Sequence, residues 1–257
     1  MMKQILLTAA ILAMGIAPAF GQKHVQNDKN NGATKKERRI SIDRERERPV
    51  RVQLYAGLGS SNATLLSQGF KFESEKGLLS PTAGVNVLIP ISRHTLFLSP
   101  GLSYNQRGIR FVSQTPGVGV TTIRTPIHTL SGNLLIGTSL GDGEFRLRFS
   151  CGLYGGYAIA GSTIMKVSKG DGNVEVHETD VFKGNNLEVL PLPGFDRVKP
   201  LPALKRFDLG TRVTWDFELG NHYNLSFTFD HSILNQSNDE TVKLYHRSAF
   251  TTIGYTF

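Results

Sequence analysis

Cysteine occurs once in this chain, at Cys151, so an exported scaffold held by disulfides is excluded. The lone thiol falls on the apolar face of its segment and reads as a small packing residue rather than a nucleophile. Long apolar runs are equally scarce: beyond residue 21 nothing approaches the ~20 apolar residues of a spanning helix. Metal-site spacings are missing as well. His177, Glu178 and Asp180 stand close together, but no second His or Cys falls at ligand spacing. Asp171-Gly172-Asn173 reads as a turn in which Asn and Gly supply positive φ. No phosphate-cradling glycine motif joins a strand to a helix pattern, and the sequence implies no cofactor.

What the chain has in quantity is period-two alternation. Its last residues set Phe257, Tyr255 and Ile253 on one face against Thr256, Gly254 and Thr252 on the other. A terminal strand with one aromatic and aliphatic face, closed by a C-terminal Phe, is how bacterial outer-membrane β-barrels finish. In such a barrel lipid wets the apolar face and the polar face lines the lumen, the reverse of a soluble protein.

The other end agrees on the compartment. Lys3, an apolar run over 5–16 and small residues at Ala17, Ala19 and Gly21 have the layout of a signal peptide, 1–21, with cleavage expected before Gln22. Residues 22–49 follow as a charged periplasmic tail, expected to be disordered. Between Lys23 and Arg48 stand nine Lys or Arg and five Asp or Glu, half of the chain's net +8, with almost no apolar residues to bury. A solvated spacer is the favoured reading of this tail over an arm for anionic lipid heads. Nucleic acid is not an expected partner of an exported chain.

Residues 50–257 form the third region. Eight alternating segments lie near 51–59, 82–91, 95–107, 125–140, 144–160, 206–219, 222–233 and 245–257. The connections run long (60–81), short (92–94), medium (109–124), short (141–143), longest (161–205), two residues (Gly220 and Asn221) and long again (234–244). That trace predicts an all-β fold: an eight-stranded antiparallel transmembrane β-barrel with long extracellular loops and short periplasmic turns, both termini in the periplasm.

The two faces of each segment differ in kind. In the sixth, Phe207, Leu209, Val213, Trp215 and Phe217 oppose Asp208, Gly210, Arg212, Thr214, Asp216 and Glu218. Aromatics are expected in two girdles: Phe145, Trp215, Phe217, Tyr223, Tyr255 and Phe257 at the periplasmic level, and Tyr104, Tyr157, Phe207 and Tyr245 at the outer one. Eight strands enclose little more than their own side chains, so inward charges should neutralise one another. The fifth segment ascends and the sixth descends, which puts Arg146 and Arg148 at the depth of Asp216 and Glu218 and predicts a lumen ion-pair cluster there. Arg51, Arg107 and Asp230 also point inward.

Two motifs carry a family resemblance. The third segment ends in Ser103-Tyr104-Asn105-Gln106-Arg107-Gly108, and the sixth opens with Lys205-Arg206-Phe207-Asp208-Leu209-Gly210. Both resemble sequences of the PorT-like outer-membrane β-barrel proteins: a tyrosine, glutamine, basic residue, glycine entry to the second outer loop, and a basic, Phe-Asp-Phe-Gly opening after a variable third loop. The chain is similar to that family in the order and placement of these motifs over roughly 51–257. It departs at Arg124-Thr125-Pro126-Ile127-His128, where Ser131 and Asn133 dilute the family's apolar fourth strand. The resemblance implies a barrel with no assigned activity in most members and, through the best known of them, a part in protein secretion.

The expected function is a non-enzymatic structural or interaction role in the cell envelope, with an accessory role in secretion as the finer expectation. The alternative is a porin-like channel or binding protein for small solutes or lipids. A lipid-modifying enzyme comes third, on Asp230-His231-Ser232. Adjacent residues point to opposite faces, whereas a base must reach its nucleophile within ~3 Å. Expected partners are outer-membrane lipid, the barrel-assembly machinery through Phe257, and other envelope proteins at the third loop. There Val189, Leu190, Leu192 and Phe195 form an apolar, Pro-rich segment. A lid folded back on the barrel mouth is the equal alternative for that segment.

Overall fold

The computed structural model describes residues 49–67, 70–73, 77–91, 95–115, 119–141, 145–168, 174–183, 203–240 and 242–257. The expected signal peptide, the tail up to residue 48 and the segment of Val189, Leu190, Leu192 and Phe195 lie outside the described residues. Ten strands are described: β1 (Arg51–Ser67), β2 (Phe70–Glu73), β3 (Leu78–Pro90), β4 (Leu96–Thr115), β5 (Gly119–Leu140), β6 (Phe145–Ser168), β7 (Val174–Asp180), β8 (Phe207–Leu219), β9 (Tyr223–Ser232) and β10 (Val242–Thr256).

Eight of them close a barrel. Every neighbouring pair is antiparallel, in the order β1, β3, β4, β5, β6, β8, β9, β10, and β10 returns to β1 over the register Gln53↔Thr256 to Ser67↔Val242. Closure matters because a strand edge in hydrocarbon has no water to satisfy its N–H and C=O groups. The remaining two strands, β2 on β1 and β7 on β6, lengthen the wall beyond the barrel on the side of the long connections.

The pleat then sorts the side chains. Along β8 exposure alternates without a break, with Asp208, Gly210, Arg212, Thr214, Asp216 and Glu218 buried. Their neighbours Phe207, Trp215 and Leu219 are exposed, as are Leu134, Ile136 and Leu153 on β5 and β6. Apolar outside and charged inside is the inverse of a soluble barrel, and only a lipid solvent makes that distribution favourable. The lone thiol of Cys151 faces outward with these residues. At the end of the barrel nearest the chain terminus the rings pack on one another: Tyr255 stacks edge-on to Phe257 at 4.9 Å and to Tyr223 at 5.5 Å, and Phe149 meets Trp215 at 5.6 Å.

Several expectations on the connections need correcting. Strands β1, β4, β5 and β6 all run past their expected ends, and β4 and β5 pair as far as Thr115↔Gly119, so most of 109–124 is hairpin rather than loop. The extension is built from Thr, Val and Ile, which favour extended backbone, but polar residues on both faces hide its period. The expected two-residue turn at Gly220 and Asn221 has three residues, because Leu219 pairs with Tyr223. Gly220 (φ 59°) and Asn221 (φ 62°) take the left-handed conformation that Gly and Asn tolerate best. In β6, His128 pairs with Ala160 and Thr129 with Ala158, so Ile159 is an extra residue; this bulge swaps inward and outward positions beyond it.

A lipid-facing apolar wall makes a mutational prediction. Leu134→Arg, at the middle of the exposed face of β5, should cost about 2–4 kcal/mol of folding free energy in vesicles, whereas a charge at either rim costs about 0–1. Urea titration of the protein refolded into liposomes measures the difference; equal costs for Leu134→Arg and for Leu140→Arg, at the exposed end of β5, would contradict a membrane-embedded wall.

Candidate functional site

The most unusual chemistry in the molecule lies inside the barrel, where inward positions of β1, β4, β6, β8 and β9 bring charged side chains together in two tiers. The tier near the short turns holds the four residues expected there. Arg146 and Glu218 are register partners, as are Arg148 and Asp216. Arg146 Nη1 lies 3.3 Å from Glu218 Oε1, and Arg148 reaches Glu218 Oε2 at 2.6 Å and Asp216 Oδ2 at 3.8 Å. Arg51 crosses from β1 to donate to Glu218 Oε1 at 2.7 Å and also donates to the carbonyl of Asn221, which ties the first strand to the β8–β9 turn. Asp216 further accepts from Ser226, and Arg148 donates to Asn224 at 2.7 Å.

The second tier has no counterpart in the sequence reading as a cluster, although Arg107 and Asp230 were expected to point inward. Arg107, on β4, divides its guanidinium between Asp208 on β8 (2.6 Å) and Asp230 on β9 (2.7 Å). Arg212 grips the same Asp230 in a two-pronged bond, Nε to Oδ1 at 2.7 Å and Nη2 to Oδ2 at 2.8 Å. Tyr154 donates its hydroxyl to Asp208 at 2.9 Å and presents its ring to Arg107, whose guanidinium carbon is 4.3 Å from the centroid. Ser232 completes the shell of Asp208, and Asn133 that of Arg212 at 3.1 Å. Two cations and two anions, each buried to within a few per cent, thus neutralise one another, with further hydrogen bonds donated by Tyr154 and Ser232 and one accepted by Asn133. That is the condition under which buried charge is tolerable. The inward phase of Tyr154, shared with Arg146 and Arg148, was the available sequence signal.

Between the tiers the lumen is nearly full. A void of about 20 Å³ remains among Gln53, Tyr55, Asn86, Asn105 and Asn133, room for about one water. Above the second tier the charges give way to an apolar cap of Ala63, Ile109, Ile127, Ala158, Val181, Leu204 and Leu244, with Phe182 packed against it and the Thr125–Thr163 hydrogen bond at its level. Val181 and Leu204 belong to the third connection, and both ends of it are pinned, Val181 N–H to Gly161 O at 3.3 Å and Leu204 N–H to Val181 O at 3.1 Å. Arg206 lies 4.1 Å over the Phe182 ring and donates to Ala158 O at 3.1 Å. The ends of the third connection therefore fold over the mouth. His246 is buried between cap and ion network, with neither ring nitrogen hydrogen-bonded.

The candidate catalytic group comes apart in the structure. Ser232 is buried in the lumen and bonded to Asp208, while its neighbour His231 turns to the outer wall opposite Thr211 and Arg247. Among the described residues no three His, Cys, Asp or Glu side chains gather at metal-binding distance.

The sequence model of a family described as "Outer membrane protein beta-barrel domain" matches residues 22–238. No curated protein matches significantly. Solved structures similar to the chain include Ail, the attachment invasion locus protein of Yersinia pestis, in complex with the heparin analogue sucrose octasulfate: 10% identity, 82% of this chain and 100% of that one, TM-score 0.39. OprG of Pseudomonas aeruginosa is similar at 11% identity over 83% of this chain and 98% of its own, TM-score 0.37.

Burial separates the two tiers energetically. Asp230→Ala leaves two buried guanidinium groups without their shared anion and should cost about 3–5 kcal/mol. Arg146→Ala removes a partner whose side chain is 17% exposed and leaves Glu218 with Arg51 and Arg148, so its cost should stay near ~1 kcal/mol or below. Loss of heat-modifiable gel mobility at lower urea for the first variant only is the expected result.

Proposed function

The chain belongs to the outer membrane protein beta-barrel domain family, and from that premise we propose that it serves the outer membrane as a non-enzymatic interaction protein, an accessory of protein export in the manner of its PorT-like resemblance. Both termini then lie in the periplasm and the four long connections outside the cell. The observation that carries the reading is the packed interior: among the described residues two tiers of ion pairs stand beneath an apolar cap, with a void of about 20 Å³ between the tiers. What such a barrel offers other molecules is its rims and its lipid-facing wall, not its bore. The separation of His231 from Ser232 supports a non-enzymatic role in the same way.

The porin-like alternative predicts current. In a planar bilayer the purified protein should give no steady single-channel conductance above background; regular open steps would overturn the reading. The export role is tested in cells. Deleting the gene should leave exported proteins trapped in the periplasm, and restoring the chain without 188–195 should fail to release them if the third connection makes the contact. Unchanged secretion in the deletion strain would end the export proposal.

A further inference from the structure

His246 occupies the seam between the charged lumen and the apolar cap, and the polar groups beside it are bonded elsewhere. Its side chain is 2% exposed, and both Nδ1 and Nε2 lack a hydrogen-bond partner. Toward the lumen the next inward residue of β10 is Ser248, whose hydroxyl donates to Ser61 at 3.1 Å, and Ser61 in turn accepts from the Gly108 N–H at 3.0 Å. Toward the mouth the next is Leu244, and Ala63 stands opposite on β1; both belong to the cap. Ser232, on the neighbouring β9, gives its hydroxyl hydrogen to Asp208. A buried imidazole with no partner is a cost that an apolar side chain at this position would not carry.

The charges that act on the ring are those of Asp208 on β8 and Arg107 on β4. Asp230 on β9, Arg212 on β8 and Tyr154 on β6 complete the same tier, Arg247 lies on the other face of β10, and the cap residues Val181 and Leu204 carry no charge. Within the tier the count is closed, Arg107 and Arg212 against Asp208 and Asp230. Asp208 already accepts from Arg107 at 2.6 Å, from Tyr154 at 2.9 Å and from Ser232. A proton taken up by His246 therefore sets three cations against two carboxylates. The imidazolium gains an anion only by drawing Asp208 away from Arg107, and either way one buried cation is left short. Water relieves such a shortage, and the immediate neighbours of His246 along and across the strands are the cap residues Leu244 and Ala63.

We propose that His246 is an acid-sensitive latch on the barrel mouth. With the ring neutral, it fills the seam and the cap packs over the ion network. With the ring protonated, the closed cap is unfavourable, and the ends of the third connection at Val181 and Leu204 loosen to let water reach the charge. Imidazole suits the task because its ordinary titration, near pH ~6.5, separates a neutral medium from a mildly acid one. A hydrated, open mouth accommodates the extra proton and a closed one does not, so acid shifts the balance toward open by up to about tenfold per pH unit. The latch does not depend on the export reading or on which side of the membrane the mouth faces.

The experiment is hydrogen exchange at single backbone amides of the full chain in detergent micelles, at about pH 8 and about pH 5, corrected for the intrinsic rate at each pH. The Val181 N–H, held by Gly161 O, and the Leu204 N–H, held by Val181 O, report the cap. Thr252, where β10 pairs with both β1 and β9, reports the wall. Protection of the two cap amides should fall about tenfold in acid while that of Thr252 holds. His246→Phe and His246→Gln, each checked for folding by heat-modifiable mobility, should abolish the fall; His231→Gln, on the outer wall, should leave it intact. Unchanged cap protection in the wild type overturns the proposal without any variant. An equal loss at Thr252 means that the whole barrel loosens, and a fall that persists in both His246 variants assigns the titration to another group; either result also overturns it.

Discussion

Everything in this molecule follows from the demand that no backbone group be left unpaired in hydrocarbon. The pairing of β10 with β1, from Gln53↔Thr256 to Ser67↔Val242, meets that demand by removing the sheet's edges. Closure in turn creates an inside, and an eight-stranded inside is too small for bulk water and too polar to be left empty. The barrel fills it with Arg107, Arg212, Arg148 and their carboxylates, whose charges are affordable only because each is met. Hydrogen bonds donated by Tyr154 and Ser232 to Asp208, and one accepted by Asn224 from Arg148, add to the ion pairs. On the side of the long connections the polar column is followed by the apolar cluster of Ala63, Ile109, Ile127, Ala158, Val181, Leu204 and Leu244.

Much of this was legible in the sequence because the pleat is strict. A residue two positions along a strand stays on the same face, so Asp208, Arg212, Asp216 and Glu218 declared themselves inward, and Trp215 and Phe227 outward, from position alone. Depth was legible where both strands begin or end at the same girdle. Phe145 pairs with Leu219, which sets Arg148 opposite Asp216 by counting. The second tier escaped because counting along strands says nothing about reach across the lumen. Arg107 meets residues 101 and 123 positions away, and that requires the diameter and stagger of the closed barrel.

The outer margin was less legible for a different reason. Beyond the lipid both faces of a strand meet water, so the apolar and polar alternation that marks a strand disappears while the backbone pairing continues, as in Thr121↔Ser113 and Thr122↔Val112. The bulge at Ile159 adds a change of phase that no local composition announces. Val181 and Leu204 sit in a segment that reads as connector, yet they close the mouth, because their partners Ala63, Ile109 and Leu244 come from strands distant in the chain.

The reach of Arg107 has a further bearing on how the barrel comes to exist. Strands β4 and β9 stand on opposite walls, four neighbours apart in either direction, and Asp230 belongs to one of the last strands synthesised. In an open sheet Arg107 would face solvent with neither carboxylate within range, and its hydration shell would hold the two halves apart. Dehydration of the interior and joining of the first strand to the last are therefore a single cooperative event, and a half-made barrel has no dry intermediate in which to wait.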